Sequence, residues 1–220
     1  MDFATARRMM VDGQVRVSDV TNPDLLAAML EVPRERFVPA AKAEIAYLDR
    51  DIAVGEQAGR PRCLLKPLVL AKLLQAADVQ SGDAVLDVAC ATGYSSAVIA
   101  HLAGAVVALD EDSSLVRRAG DALKGLGAAN VTVVQGPLAD GWSARAPYDV
   151  ILINGMSEVA PKELFRQLKD RGRLVGVFGE GIAAKAMLYL SLAGEVSGRT
   201  LFDAAAPLLP GFSKPEAFVF

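Results

Sequence analysis

The sequence predicts an α/β fold: a mostly parallel sheet with helices on both faces and an antiparallel strand pair at its C-terminal end. Three observations predict it. From Ser81 onward, short runs rich in Val, Ile and Leu alternate with helix-forming stretches, the pattern of a sheet covered on both faces. Val85 to Asp110 reads as strand, small-residue turn, helix and strand, closed by a carboxylate. Lys185 to Leu192 and Glu195 to Ala204 read as two strands meeting at Ala193-Gly194. At 220 residues, 52% of them hydrophobic and 22% charged, the chain suits one compact unit with a three-layer core.

The elements follow in order. Residues 2–13 have helical character, and Asn22-Pro23 opens a second helix to Glu31, with Asn22 as cap and Pro23 at its first position. Val32 to Pro39 is punctuated by prolines and is expected to pack Phe37 and Val38 on the main body. Residues 48–66, with Gly55, Gly59 and Pro61, read as irregular and carry the basic residues Arg60, Arg62 and Lys66. A helix follows from Pro67 to about Ala77. The alternation then runs strand 84–88, helix 94–103, strand 105–110, helix 113–126, strand 130–135, strand 148–154, helix 161–169 and strand 171–178. The expected organisation is an N-terminal extension with a substrate loop (1–66) and a main domain (67–220).

The turn after the first of these strands indicates the ligand. Ala89-Cys90-Ala91-Thr92-Gly93 has small side chains, where backbone approaches a ligand closely. Asp110 lies about 20 residues beyond it, where doubly wound folds set a carboxylate on a ribose diol. A dinucleotide site wants G-x-G-x-x-G, whereas here the small positions Ala89, Ala91 and Gly93 are two apart. That spacing, preceded by Asp87, is similar to the loop of the Rossmann-like S-adenosylmethionine-dependent methyltransferases. An apolar run from Val88 to Leu109 is also long enough for a membrane helix, but Gly93, Gly104 and three hydroxyl residues interrupt it and acids flank it.

Composition narrows the classes further. A net charge of −3 gives no global attraction to nucleic acid or anionic membrane. The first residues lack the apolar core of a secretory signal, and two cysteines are too few for a disulfide framework, so a cytoplasmic protein is expected. One His and two isolated Cys offer no set of ligands for a metal. Without a G-x-S-x-G elbow or a second His, any enzyme here works without a histidine base. His101 and Cys90 read as structural residues.

Several ordered segments carry a family resemblance. They are Leu26 to Pro39 (LAAMLEVPRERFVP), Ala46 to Gly55 (AYLDRDIAVG), Leu86 to Tyr94 (LDVACATGY), Ala146 to Leu152 (APYDVIL) and Leu168 to Val175 (LKDRGRLV). In these the chain resembles the protein-L-isoaspartate (D-aspartate) O-methyltransferases over nearly its whole length. The resemblance implies methyl transfer from S-adenosyl-L-methionine to the free carboxylate of isoaspartyl residues in damaged proteins or peptides. It implies that Asp87 and the loop Ala89, Ala91, Thr92, Gly93 and Tyr94 hold the methionine end of the cofactor. Asp110, with Glu111, would take the ribose, Gly136, Pro137 and Leu138 would border adenine, and Asn154 would lie beside the methyl.

Four positions depart from the family pattern. Leu65 stands where the family has its functional serine, and a leucine offers no hydroxyl. Ala89 and Ala91 replace glycines; if the loop needs positive φ there, alanine costs about 1 kcal/mol. Pro137 replaces an Asp and has neither a carboxylate nor a backbone N–H. Arg60, Arg62 or Lys66 is therefore expected to bind the acidic substrate in place of the missing hydroxyl, the alternative being ordinary solvated charges on an irregular loop. The alternative reading is a protein that keeps the fold, has a weakened or lost cofactor site and acts through binding.

Overall fold

The computed structural model describes residues 2–57 and 59–215. Seven strands form one sheet in the order β5-β4-β3-β6-β7-β8-β9. These are β3 (Ala84–Val88), β4 (Ala105–Asp110), β5 (Val131–Gln135), β6 (Tyr148–Ser157), β7 (Leu168–Phe178), β8 (Lys185–Leu192) and β9 (Glu195–Asp203). Pairings from β5 through β7 are parallel, and β7-β8-β9 are antiparallel. The chain starts at β3, builds outward to β5 and returns to β6 on the other side of β3. The order therefore reverses between β3 and β6, where doubly wound sheets open a ligand crevice.

The central strands are buried because their side chains are apolar on both faces. Val85, Leu86 and Val88 of β3 and Ile151, Leu152 and Ile153 of β6 are all 1% exposed or less. Helices cover them: α3 (Pro67–Ala77), α4 (Tyr94–Ala100) and α5 (Ser113–Gly125). α5 is capped by Asp112, whose carboxylate accepts from the Ser114 and Leu115 amides, and it buries Leu115, Ala119 and Leu123 along one side. The N-terminal helices, α1 (Phe3–Met10) and α2 (Pro23–Glu31), place Met10, Leu25 and Met29 in the same core. Asn22 caps α2 by accepting from the Leu25 amide at 3.0 Å, with Pro23 at the first position as expected.

Three differences from the sequence reading matter. Residues 48–66 are not irregular throughout: Ile52–Gln57 (β1) and Arg60–Leu64 (β2) pair antiparallel, with Gly59 at φ 72 in the turn. The helix expected over 161–169 shrinks to α6, Lys162–Phe165. Its continuation is lost because the Gln167 carbonyl accepts from the Tyr148 amide, which carries the chain into β7. Helix 2–13 stops at Met10 and continues as a wider turn over Val11–Val15. The apolar run 88–109 divides into a turn, α4 and β4, and among the described residues no helix is long and apolar enough to cross a membrane.

Candidate active site

The β3–α4 turn lies at the carboxyl end of β3, held from the side by β4. The Cys90 amide donates to the Leu109 carbonyl at 3.0 Å, and the Ala91 amide to Asp110 Oδ2 at 2.8 Å. Reversing direction within so few residues needs left-handed backbone. Ala89 has φ 61, Ala91 φ 52 and Gly93 φ 91. Both alanines therefore sit where a Cβ is penalised by about 1 kcal/mol or more each. The turn keeps glycine geometry at two positions that are alanine. Cys90 is 1% exposed and burial pushes its thiol well above the ordinary range, so it packs as a small residue.

Asp87 is buried and committed to neighbours. Its Oδ2 accepts from Ser95 Oγ at 2.7 Å and from Ser96 Oγ, while Oδ1 accepts from Asn154 Nδ2. Asn154 also donates to Ser95 Oγ at 3.0 Å. Burial raises the Asp87 carboxyl to about 6, opposed by the hydroxyl and amide donors around it. The two serines were not singled out in the sequence. Their signal is position: they open α4, whose first turn faces the end of β3.

Asp110 ends β4 at the expected place, but a cation from the same chain faces it. Arg62 Nη2 lies 2.7 Å from Asp110 Oδ2, with the two side chains 2% and 0% exposed. Asp110 Oδ1 accepts from the Asp112 amide at 3.1 Å. Desolvation raises the Asp110 carboxyl, and the Arg62 charge pulls it back. Arg62, expected at the substrate, is thus an internal partner of the acid that ends β4. Lys66 does not join it: its amide donates to Asp51 Oδ1 at 2.8 Å, and its side chain borders an outer groove with Asp49, Leu68 and Lys72.

Apolar and aromatic groups fill the rest of the crevice. Leu64 and Leu65 are 4% and 2% exposed and face Ala89, Cys90, Tyr94, Ser95 and Asn154. Among these residues the free cavity is about 10 Å³, room for one water, whereas small-molecule sites run to roughly 300–1,000 Å³. Tyr94 is pinned from behind by the Arg34 guanidinium, 4.5 Å from its ring centroid, and by Phe37, edge-on at 5.7 Å. Arg34, fully buried, donates to the carbonyls of Leu65 at 2.7 Å and Ala46 at 2.8 Å. The sequence reading passed over Arg34; an arginine between Pro33 and Phe37 gives no pattern that marks it as central. Thr92 Oγ1 donates to the Phe37 carbonyl at 2.5 Å, which ties the loop to the N-terminal segment.

On the far side, the Gly136 amide donates to the Asp110 carbonyl at 3.1 Å, and Leu138 is buried in one apolar cluster with Ala89, Leu109, Leu209 and Phe212. Gly155, next to Asn154, is covered by Leu209: a Cβ there would lie 2.5 Å from Leu209 Cγ. Glu111 is half-buried beyond Asp110, its carbonyl accepting from Gln135 Nε2 at 3.3 Å. The fold therefore gathers Asp87, Ala89, Ala91, Thr92, Gly93, Tyr94, Asp110 and Asn154 at one edge of the sheet. As arranged, these residues do not fit an adenosyl cofactor, because both carboxylates are engaged within the chain and the space between Leu65 and the loop is about 10 Å³.

Comparison with known proteins agrees with the fold and the order of motifs. Residues 7–201 match the family model described as Protein-L-isoaspartate(D-aspartate) O-methyltransferase (PCMT). The chain is 34% identical over 189 residues to Protein-L-isoaspartate O-methyltransferase 1 of Rhodopseudomonas palustris (strain HaA2), covering 86% of this chain and 76% of that one. It is 33% identical to the Protein-L-isoaspartate O-methyltransferase of R. palustris (strain ATCC BAA-98 / CGA009), covering 94% and 95%. A solved protein-L-isoaspartate O-methyltransferase superposes with a TM-score of 0.81 at 22% identity, over 93% of this chain and 66% of that one. At that identity the superposition speaks for the fold alone.

Proposed function

This chain belongs to the protein-L-isoaspartate(D-aspartate) O-methyltransferase family, and from that premise we propose that it methylates the free carboxylate of isoaspartyl residues in damaged proteins or peptides. The methyl donor is S-adenosyl-L-methionine. The observation that carries the reading is the family match over residues 7–201, at 33–34% identity to the two R. palustris relatives. A carboxylate substrate suits a crevice without a histidine. Its reference pKa near 4 leaves it ionised at neutral pH, so no general base is needed. What the protein must supply is alignment and the exclusion of water, an effect worth several kcal/mol.

Our assignment gives the 89–94 loop, Asp110 with Glu111, and Gly136 to Leu138 to the cofactor side, and Leu65 to the substrate entrance. We place the protein in the cytoplasm, where Cys63 and Cys90 stay as free thiols. The test is transfer of labelled methyl to an isoaspartyl peptide, with the aspartyl isomer as control. A base-labile methyl ester on the isoaspartyl peptide alone is the expected result. No label on either peptide, with cofactor at saturating concentration, would overturn the assignment.

Two observations favour a second reading, in which the protein acts by binding after its cofactor site has been lost. The hydroxyl at position 65 is gone, and Arg62 has taken the acid of the second strand.

A further inference from the structure

We propose that Arg62, carried on β2, is a latch in the cofactor crevice, occupying on Asp110 the place that a ribose would take. The inference rests on the family reading for the identity of the cofactor. Doubly wound folds use the acid that closes the second strand of the unit to bind a ribose diol. Here that acid is met by a guanidinium from β2, and its Oδ2 is shared with the Ala91 amide of the cofactor loop. A sugar reaches Asp110 only after Arg62 has left.

The hairpin packs on the body: Ile52, Val54 and Leu64 are buried in the main core, Lys42 Nζ donates to the Ala53 carbonyl at 2.7 Å, Arg118 Nη1 donates to the Val54 carbonyl at 2.6 Å, and Gly55 rests on Leu115, where a Cβ would come within 3.3 Å of Leu115 Cδ2. Its base is held independently. Asp51 accepts from the Lys66 amide at 2.8 Å, and Arg34 grips the Leu65 carbonyl at 2.7 Å. Arg62 therefore lies on an anchored strand, and the exchange at Asp110 is a movement of its side chain.

The closed state also answers an electrostatic need. A carboxylate as buried as Asp110 is costly without a partner, and Arg62 supplies one whenever the sugar is away. Binding then becomes an exchange of partners, and apparent affinity falls by the fraction of time the latch is open. Nothing in this requires chemistry beyond the family's reaction.

The experiment is calorimetric titration of S-adenosylhomocysteine into the full chain, its Arg62→Ala and Arg62→Gln variants, and Arg118→Ala. Arg62→Gln keeps polar atoms near Asp110 should the alanine variant fail to fold, and Arg118→Ala loosens the hairpin without touching the acid. We expect weak binding by the parent chain, about tenfold tighter binding once Arg62 is replaced, and a smaller gain with Arg118→Ala. Measurable binding by the parent that is unchanged or weaker in the Arg62 variants overturns the latch and leaves the cofactor assignment standing. Silence from all four proteins at millimolar ligand overturns both.

Discussion

Arg62 Nη2 and Asp110 Oδ2 stand 2.7 Å apart with both side chains out of water, so the acid closing β4 is neutralised by its own chain. Buried pairs of this kind are weak evidence of net stability, yet losing one member is severe because the other is left charged and unsolvated. Arg62→Met and Asp110→Asn are each expected to destabilise by about 3–5 kcal/mol, and the double variant by clearly less than the sum. Urea unfolding of the four proteins gives the coupling. Strictly additive losses would show that the pair does not act as a unit.

The left-handed alanines offer the opposite result, a gain from substitution. Ala89 and Ala91 hold φ 61 and 52, which glycine adopts without a Cβ penalty. Gly loses some of this advantage through its freer unfolded chain. Ala91→Gly should still raise stability by up to about 1 kcal/mol, or roughly 2–4 °C in Tm for a chain of this size. A fall in Tm would mean that the methyl group contributes packing that outweighs the strain.

Asp87 predicts a pH dependence of definite sign. Its folded carboxyl is raised to about 6 from an ordinary 3.8, so between those values the folded chain binds more protons than the unfolded one. Stability from this group is complete below about pH 4 and is lost as pH rises through 6, on the order of 3 kcal/mol in all. Asp87→Asn removes the effect. The parent should gain stability relative to the variant between pH 7 and pH 5 in urea titrations; parallel curves would show that Asp87 does not titrate in that window.

Gly155 tests the docking of the C-terminal segment. A Cβ there would lie 2.5 Å from Leu209 Cγ and 2.6 Å from its Cδ2. Overpacking of this kind costs about 1–3 kcal/mol. Gly155→Ala should therefore destabilise, and Leu209→Ala in the same chain should recover much of the loss. An innocuous Gly155→Ala would mean that residues 207–212 sit more loosely than their hydrogen bonds to Met156 indicate.

The parallel sheet, the strand limits at 84–88 and 105–110, the Asn22 cap and the C-terminal hairpin were legible because each follows from local pattern. Apolar runs, a capping side chain before a proline, and a small-residue turn need no partner to be recognised. The family was legible for the same reason, since its motifs are contiguous. The β1–β2 hairpin was not: the Gly and Pro residues within 48–66 mimic a loop, and pairing such as Ile52 with Leu64 is visible only in three dimensions. The short α6 was lost to a hydrogen bond between Tyr148 and Gln167, distant in sequence.

The amino-acid order alone determined that residues at 87, 89–94, 110 and 154 meet at one rim of a twisted sheet, because alternating hydrophobic periodicity dictates the winding that brings them there. Only the tertiary structure decided what those residues face. Arg62 read as a solvated loop charge with a substrate to bind, yet it lies 48 positions from the aspartate that holds it. Ion pairing and the exclusion of water are through-space effects, set by which surfaces close on each other, and no local pattern encodes them.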